Sequence, residues 1–482
     1  MNNIKRQLFS GVFYTAIAKY SGIVISLIVT GVLSRLLESE VFGTVAIATV
    51  IVYFFALFTD MGISPAIIQQ KELSEDDLSN IFSFTFWTGL ILAALFFGAS
   101  WVIGYIYDSP VLVTLCQFLS INLFFASATI VPNALFYKEK LFKFISIRTL
   151  TIQITGGIIS IVFAMYYRSV YALIINPILS SILLFGISIK RFPQRLRFTW
   201  GLSSLKKIFS YSAYQFLFNV INYFSRNLDK LMIGKYMSME LLGYYEKSYR
   251  LMMLPLQNIT QVITPVMHPI FSDYQNNINQ LASSYEKIIR FFAFVGFPVT
   301  VLLFFSAEEL ILILFGDQWL PSIPVFKILS FSVGIQIILS SSGSIYQAAG
   351  DTRSMFVCGL FSSILNVTGI LMGIFFWGTL EAIAACICTT FTINFIQCYW
   401  VMYKITFKRN ALLFIKQLIS PLILSAILFV ILLLLSDFIK ECNIFITISI
   451  KGIVSILIFV YYIQRTKEYD IVGAVKGKLH LR

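Results

Sequence analysis

Charged side chains are scarce in this chain of 482 residues. Only 12% of the residues are charged and 58% are hydrophobic, whereas a soluble globular protein carries about 25% charged residues. The apolar runs recur along the whole chain, and many reach the roughly 20 residues that are needed to cross the hydrocarbon core of a membrane. The composition therefore excludes a soluble protein and indicates a polytopic membrane protein.

Histidine and cysteine are also scarce, with two and six residues. Both histidines, His268 and His480, fall in segments that we expect on the cytoplasmic side, so nothing indicates a membrane enzyme with catalytic histidines. The cysteines lie mostly in apolar runs, and Cys386 and Cys388 would point about 200° apart on a helix, which is unfavourable for a metal site. The sequence predicts no catalytic residues, no metal and no bound cofactor.

The apolar runs predict an all-α polytopic membrane protein with fourteen transmembrane helices. They are expected at 11–34, 41–64, 81–106, 111–136, 146–167, 170–189, 209–234, 241–265, 288–315, 324–348, 355–377, 380–403, 412–436 and 444–463. The loops between them are short. No soluble domain is expected on either side, so the function must be built within the membrane.

The distribution of lysine and arginine predicts the orientation. With a cytoplasmic N-terminus, most of the 36 basic residues fall in inside segments, as the positive-inside rule requires. The outside segments hold only Arg35, Arg168, Lys235 and Lys440. Both termini are therefore expected in the cytoplasm. The same bias explains most of the net charge of +13 without a nucleic acid partner.

Residues 34–43 are echoed by residues 234–243. A shift of 200 positions aligns a cation, an acid and a glycine, which are Arg35 with Lys235, Glu40 with Glu240, and Gly43 with Gly243. We therefore predict two parallel six-helix lobes, at 1–199 and 200–405, followed by two added helices and a cytoplasmic C-terminus at 406–482. Many transporters are built from such repeats and hold the substrate between them.

Ionisable residues inside predicted spans are costly, so each is a functional candidate. The cations are Lys19, Arg226, Lys230, Lys247 and Arg250, and the acids are Asp60, Asp229 and Glu246. The acids could pair with neighbouring cations only to neutralise them. Alternatively, the surplus of cations, mostly in the second lobe, could bind an anion, with the acids binding a coupling proton or sodium ion.

A second set of charged residues lies nearer to the predicted ends of helices. It consists of Glu308, Glu309, Lys327 and Lys451. We expect these side chains to reach the outer membrane interface, because long charged side chains near helix ends extend towards water. The sequence assigns them no role in binding.

Several motifs resemble one family of transporters. In the second half they are the run 226–235, the segment 240–245 and the segment 249–259, and in the first half they are 34–37, 40–43 and 60–63. Together they resemble the polysaccharide transporter group of the multidrug/oligosaccharidyl-lipid/polysaccharide (MOP) exporters. Within that group they are most similar to the Wzx-type exporters of colanic acid, capsule, O-antigen and teichuronic acid.

The resemblance implies a flippase of the bacterial inner membrane for oligosaccharide repeat units linked to undecaprenyl diphosphate. Such a protein alternates between two open forms and turns its substrate over from the cytoplasmic to the outer leaflet. Lys19, Arg226, Lys230, Lys247 and Arg250 would bind the diphosphate, and Asp60, Asp229 and Glu246 would couple transport to H⁺ or Na⁺ or pair with these cations. The expected partners are the lipid-linked substrate, membrane lipids, a polysaccharide polymerase and a chain-length regulator.

A lipid scaffold without a transport role is one alternative, and the duplicated architecture counts against it. Two further alternatives remain at this stage. A related drug antiporter of the MATE type would need an acidic site for cationic drugs, whereas cations outnumber acids among the candidates here. A polymerase or ligase of the same pathway would usually carry a large external loop or catalytic carboxylates and histidines. The sequence favours the flippase over both.

Overall fold

The structure, a computed structural model, describes residues 2–60, 62–70, 72–198, 213–272, 277–466 and 468, and every regular element in these ranges is helical. The α-helices are α1 Asn2–Leu36, α2 Ser39–Asp60, α3 Ile63–Gln69, α4 Glu75–Ile106, α5 Pro110–Lys138, α6 Phe142–Tyr167, α7 Ala172–Arg191, α8 Ala213–Tyr236, α9 Met239–Ser272, α10 Ile278–Phe305, α11 Ala307–Leu314, α12 Ser322–Leu339, α13 Ser342–Ala348, α14 Thr352–Met372, α15 Leu380–Val401, α16 Leu412–Phe438 and α17 Ile444–Thr466. A 3₁₀ turn lies at Asp317–Trp319, and π-helical turns lie at Gly373–Trp377 and Met402–Thr406. The predicted all-α architecture is confirmed.

Twelve helical segments of the described chain are long and apolar enough to cross a membrane. Each corresponds to one of the fourteen predicted spans. The observed and predicted ends differ by a few residues in most cases and by ten residues for the predicted span 288–315. The two remaining predicted spans correspond to α8 and α9. The 24 residues of α8 reach about 36 Å, but both helices carry a polar stripe that lowers their hydropathy. The count of fourteen therefore stays a prediction.

The chain forms two compact units, Met1–Gly243 and Tyr244–Arg482. Helix α9 begins in the first unit and continues in the second. The predicted division into lobes at residue 199 was inferred from the repeat in the sequence and not from packing. That division stays a prediction.

In the first unit, α5 packs against α2, α4 and α7. The Ser127 hydroxyl on α5 donates a 2.7 Å hydrogen bond to the Thr85 carbonyl on α4. A Cβ on Gly89 would lie only 2.5 Å from the Ser127 side chain, so this glycine allows the two helices to approach closely. Beneath them lies an apolar cluster formed by Ile63, Ile67, Ile81, Phe82, Val131, Ala134 and Leu135.

The basic segment after α7 lies along α4. The backbone N–H of Arg197 donates to the Ser83 hydroxyl at 2.8 Å, and the Trp87 indole donates to the Arg197 carbonyl at 2.9 Å. The Arg197 guanidinium also pairs with Asp76. The first residues of the segment that links the predicted lobes are therefore bound to the first unit by backbone hydrogen bonds and by an ion pair.

In the second unit, α10 packs against α12 and α16. The Tyr285 hydroxyl of α10 lies 2.7 Å from the Ser341 hydroxyl and 2.9 Å from that of Tyr399. Tyr399 in turn donates to the Ile338 carbonyl at 2.9 Å. Buried polar groups are costly unless they are paired, and this network fixes α10, α12 and α15 in one arrangement.

Asp351 begins α14. Its Oδ1 accepts from the Ser354 backbone N–H at 3.0 Å, and its Oδ2 accepts from the Thr406 hydroxyl at 2.7 Å. Burial raises the pKa of this carboxyl, but these hydrogen bonds and the charge of Arg353 outweigh burial and lower the pKa below its usual value. The ionised side chain thus holds the start of α14 against the end of the segment 380–406.

Three predicted helices are interrupted in the structure. The predicted span 324–348 is divided into α12, which ends at Leu339, and α13, which begins at Ser342. The predicted span 41–64 breaks before α3, where Gly62 adopts a φ of 78° that favours glycine. The predicted span 288–315 was wrong at both ends, because α10 begins at Ile278 and ends at Phe305, and α11 follows as a separate short helix. The break at Ser306 turns Glu308 and Glu309 into the first turn of α11, where carboxylates are favoured by the helix dipole.

Candidate functional site

Helix α8 carries the polar stripe that the sequence singled out, and it packs against α2 within the first unit. The Tyr223 hydroxyl donates to the Val50 carbonyl at 2.6 Å, and the rings of Phe54 and Phe224 lie 4.8 Å apart. At the other end, the Tyr107 hydroxyl donates to the Leu231 carbonyl at 3.2 Å. These contacts fix the rotation of α8 and therefore which of its charged residues are accessible.

The three charged residues of this stripe have different environments. Arg226 is exposed, Lys230 is partly buried, and Asp229 is only 3% exposed. The Asp229 Oδ1 accepts a 2.8 Å hydrogen bond from the backbone N–H of Lys230, and both residues have further partners. Within the part of the chain that the structure describes, the Arg226 guanidinium has neither a hydrogen bond nor an ion pair. Arg226 is therefore the member of the stripe that is available to an anion.

Lys19 lies on α1 in the first unit and is partly buried. Among the described residues it likewise has no hydrogen bond or ion pair. Asp60, a candidate for ion coupling or charge pairing, is the last residue of α2. The Asp60 side chain lies outside the described residues. Lys19 is thus a second cation in a membrane helix with no carboxylate partner in the described chain.

The other three candidates lie on α9 in the second unit. Arg250 is exposed and Glu246 is partly buried, and both have interaction partners. Lys247 is only 1% exposed. Its ammonium lies 4.7 Å from the centroid of the Phe315 ring and 4.8 Å from that of Trp319. The structure therefore places Lys247 beneath two aromatic rings, in a cation–π arrangement.

Sequence reasoning missed the partners of Lys247. Phe315 follows α11 and had been expected at the end of the predicted helix 288–315, and Trp319 lies in the 3₁₀ turn after it. The Ser248 hydroxyl next to Lys247 donates to the Ser322 carbonyl at 2.8 Å, and the Ser322 hydroxyl donates to the Tyr244 carbonyl at 3.0 Å. Residues 244–248 of α9 are therefore anchored to the first residue of α12. Whether Lys247 also binds substrate stays a prediction.

The two copies of the repeated motif contact each other. A Cβ on Gly43 would lie 1.8 Å from the Met239 carbonyl oxygen, and a Cβ on Gly243 would lie 2.0 Å from that of Ser39. Ser39 and Met239 are themselves 200 positions apart, so the two contacts are equivalent under the repeat. The start of α2 and the start of α9 thus approach so closely that only glycine fits at either position.

Two buried cations were not among the predicted site residues. Arg148 on α6 is 6% exposed and donates to the Asn133 side chain at 2.7 Å and to the Ser188 hydroxyl at 3.0 Å. Lys451 on α17 is 5% exposed and pairs with Glu309. Lys451 and Glu309 do not extend into water as expected, because α11 and α17 pack together and enclose both side chains. Their position near the outer interface stays a prediction.

No group of three or more metal-ligating side chains occurs among the described residues. The Cys388 thiol instead donates to the Ile328 carbonyl. Taken together, the sequence-predicted residues supply exposed guanidinium groups and a partly buried ammonium on membrane helices. Arginine is well matched to phosphate oxygens through parallel hydrogen bonds, so the chemistry of an exposed guanidinium such as that of Arg226 suits a phosphate group.

The comparisons with known sequences agree on a family. Residues 32–324 match the family model described as "Polysaccharide biosynthesis protein". The teichuronic acid biosynthesis protein TuaB of Bacillus subtilis is 25% identical over 438 residues, covering 88% of each chain. The lipopolysaccharide biosynthesis protein WzxC of Escherichia coli is 24% identical over 88% of this chain and 86% of its own. The succinoglycan biosynthesis transport protein ExoT of Rhizobium meliloti is 20% identical over 82% and 81%.

Solved structures show the fold. The lipid II flippase MurJ, in an inward closed conformation, matches with a TM-score of 0.74 and 16% identity, over 95% of this chain and 99% of MurJ. A multidrug resistance MATE family transporter of the MOP superfamily matches with a TM-score of 0.58 and 14% identity, over 80% of this chain and 96% of its own. The chain therefore has the fold of the MOP transporters, as its sequence predicts.

Proposed function

The chain belongs to the polysaccharide biosynthesis protein family, and from that premise we propose that it is a flippase for lipid-linked oligosaccharides. It moves repeat units linked to undecaprenyl diphosphate from the cytoplasmic to the outer leaflet by alternating access. Matches over more than four fifths of the chain to proteins of teichuronic acid, lipopolysaccharide and succinoglycan biosynthesis support this function. One of these proteins is named as a transport protein.

The observation that supports the proposal most directly is the exposure of Arg226 and its lack of a partner among the described residues. A guanidinium in a membrane helix is costly unless it is paired or faces water, and Arg226 is exposed with no partner in the described chain. A diphosphate would supply the missing charge. Lys19 on α1 offers a second unpaired cation of the same unit, and Arg250 on α9 offers a second guanidinium.

The carboxylates among the candidates suit a coupling role. We propose that Asp60, Asp229 or Glu246 takes up H⁺ or Na⁺ during transport and so changes how firmly the neighbouring cations bind the diphosphate. Asp229 is the most buried of those whose side chain is described, at 3% exposed, and its neighbour Lys230 is a candidate diphosphate ligand. The protein uses no other cofactor in this mechanism.

The location follows from the function. We propose that the chain resides in the inner membrane of a bacterium with both termini in the cytoplasm, so that the substrate is loaded where it is synthesised. A polysaccharide polymerase and a chain-length regulator would act on the product at the outer face. Membrane lipids and the lipid-linked saccharide are the remaining partners.

The drug antiporter is the weaker alternative. The MATE transporter matches with a lower TM-score and over less of the chain than MurJ does. A site for cationic drugs also needs acids in excess, whereas cations exceed acids among the candidates. A membrane enzyme of the same pathway is not favoured either, since the relatives named above include a transport protein.

Complementation of a deletion strain tests the function. We expect Arg226→Ala and Arg250→Ala to reduce surface polysaccharide and to cause the lipid-linked repeat unit to accumulate on the cytoplasmic side. Lys235→Ala is the matched control, because Lys235 is also an exposed cation of α8 but pairs with Asp108 at 3.5 Å. Each variant is first checked for its amount in the membrane.

Three results are informative. Loss of polymer in the arginine variants but not in Lys235→Ala supports both the function and the residues. Normal polymer in the arginine variants contradicts the assignment of these residues. Normal polymer in the complete deletion contradicts the function itself, and drug susceptibility would then be measured.

A further inference from the structure

Exposed cations gather at one end of the second unit, apart from every candidate discussed so far. Within the part of the chain that the structure describes, they have neither a hydrogen bond nor an ion pair. We call them the basic surface, which consists of Lys287 on α10, Lys404 and Lys408 between α15 and α16, Lys416 on α16 and Arg465 on α17.

The loop between α15 and α16 is bound to α10. The Arg409 guanidinium donates to the Asn279 carbonyl at 2.8 Å and to the Asn279 Oδ1 at 3.2 Å. Arg409 also pairs with Glu286 of α10 at 3.4 Å. These contacts place the two lysines of the loop at the end of α10 that carries Lys287.

Helices α16 and α17 meet at the same end of the unit. The Ser420 hydroxyl of α16 lies 3.2 Å from the Tyr462 hydroxyl of α17. Lys416 lies about one turn before Ser420, and Arg465 lies about one turn after Tyr462. The basic surface therefore extends over four neighbouring elements, which are α10, the loop, α16 and α17.

The carboxylates described at this end of the unit already have partners. Glu286 pairs with Arg409, and Glu468 pairs with Arg290. The Asp351 carboxylate accepts two hydrogen bonds at the start of α14. The positive charge of the basic surface is therefore in excess, and such a surface attracts anions.

Apolar side chains beside the cations indicate that the anion is a lipid. Helix α16 is long and apolar enough to cross a membrane, and Lys416 shares its exposed face with Leu412, Ile415 and Ile419. These three side chains are 65%, 52% and 49% exposed, and Ile405 in the loop is 54% exposed. Such a face lies against acyl chains, and a lysine near its end extends to the headgroups.

Charge selects the kind of headgroup. The basic surface lies at the end of the unit that the sequence predicts to be cytoplasmic, and anionic lipids of the cytoplasmic leaflet attract basic residues next to membrane helices. A phosphodiester without an ammonium keeps its full negative charge. A zwitterionic headgroup carries an ammonium that the lysines repel, so the surface favours the anionic lipid.

We propose that the basic surface binds the headgroup of an anionic phospholipid of the cytoplasmic leaflet, such as phosphatidylglycerol. Lys404 and Lys416, which lie next to exposed apolar side chains, would contact its phosphate. The bound lipid would join the loop between α15 and α16 to α16 and α17. This site is separate from the proposed diphosphate ligands and does not depend on the flippase function.

Lipid titration of the purified full-length chain in detergent, followed by native mass spectrometry, tests the proposal. The probes are phosphatidylglycerol, phosphatidylethanolamine and phosphatidylcholine with identical acyl chains. We expect phosphatidylglycerol to bind about tenfold more tightly than either of the others, because their ammonium groups cancel the charge that attracts the lysines.

Variants locate the site. We expect Lys404→Gln with Lys416→Gln to weaken phosphatidylglycerol binding about 25-fold, since each cation near an anionic headgroup contributes about a fivefold factor. Lys404→Arg with Lys416→Arg keeps both charges and should bind like the unmodified chain. The matched control is Arg168→Gln with Lys440→Gln, because both cations are exposed, have no partner in the described chain and lie outside the basic surface.

Equal affinity for the three lipids would overturn the proposal, as would an equal loss in the control pair or loss of binding in the arginine pair. Glycerophosphoglycerol, the soluble headgroup, separates a lipid from a soluble anion. Displacement of the lipid by this compound at a similar concentration would contradict the lipid assignment. Failure to displace the lipid supports it.

Discussion

Arg226 and Lys247 look alike in the sequence, since each is a cation within a predicted membrane helix near a carboxylate. The structure separates them. Arg226 is exposed without a described partner, whereas Lys247 is buried beneath Phe315 and Trp319. At the scale of single residues, the sequence identifies which positions are unusual, but the contacts decide which of these side chains are accessible.

The two residues should therefore respond differently to substitution. Lys247→Ala removes a side chain that two rings cover, and we expect it to lower the free energy of unfolding by about 2–4 kcal/mol, as truncation of other buried chains does. Arg226→Ala should leave unfolding nearly unchanged, because the side chain is exposed. Thermal unfolding of the purified variants measures both effects. A larger loss of stability in Arg226→Ala than in Lys247→Ala would contradict this distinction.

The helices were the easiest elements to predict. A long apolar segment that crosses a membrane must satisfy its backbone hydrogen bonds internally, and a helix does so within a single segment. The breaks within them were harder. Nothing in hydropathy marks the end of α10 at Phe305, since the sequence stays apolar into α11, and only the serine at 306 and the two glutamates hint at a new helix. The burial of Glu309 and Lys451 could not be predicted either. It results from the packing of α11 on α17, which brings together two residues that are 142 positions apart in the sequence.

The close contact between the starts of α2 and α9 explains why the repeat in the sequence has a glycine in both copies. The shift of 200 positions aligned Gly43 with Gly243, and the structure gives both the same close contact with a backbone carbonyl of the other copy. Glycine is required at both positions, because a Cβ on either residue would overlap the backbone of the other copy of the repeat.

This contact predicts that even a single methyl group is not tolerated. We expect Gly43→Ala and Gly243→Ala each to destabilise the protein by about 1–3 kcal/mol, as overpacking does, and to reduce export. Gly98→Ala is the control, because a Cβ at that position of α4 meets nothing within 4 Å. Thermal unfolding and surface polysaccharide are the two readouts. Wild-type behaviour of Gly43→Ala would mean that the two helix starts are not held this closely in the membrane.

At the scale of the whole molecule, the sequence predicted the MOP-type fold and the family, and both are confirmed. It did so because composition, the repeat and the motifs at 226–259 are properties of the chain alone. The substrate-binding arrangement could not be predicted to the same depth, because it depends on which face of α8 and α9 is accessible. The sugar that is carried leaves no short motif at all.

The predicted orientation can be tested with a native residue. Cys442 lies between α16 and α17 and is the exposed cysteine among the six. A membrane-impermeant maleimide added to intact spheroplasts should label Cys442, as located by peptide mass spectrometry. An introduced cysteine at the exposed Asn410, in the preceding loop, should react only after the membrane is opened. The reverse pattern would contradict a cytoplasmic C-terminus.

The central claim is that the chain moves a saccharide linked to undecaprenyl diphosphate across the bilayer, and flipping by the purified protein in liposomes tests it most directly. The probe is undecaprenyl diphosphate bearing one fluorescently labelled N-acetylhexosamine, and an impermeant quencher reports the fraction in the outer leaflet. The account predicts that the inner-leaflet probe reaches the quencher faster than in protein-free liposomes. It also predicts a rate about tenfold lower for Arg226→Ala and an unchanged rate for Lys235→Ala. A rate equal to that of protein-free liposomes, with protein and ion gradient present, would contradict the account.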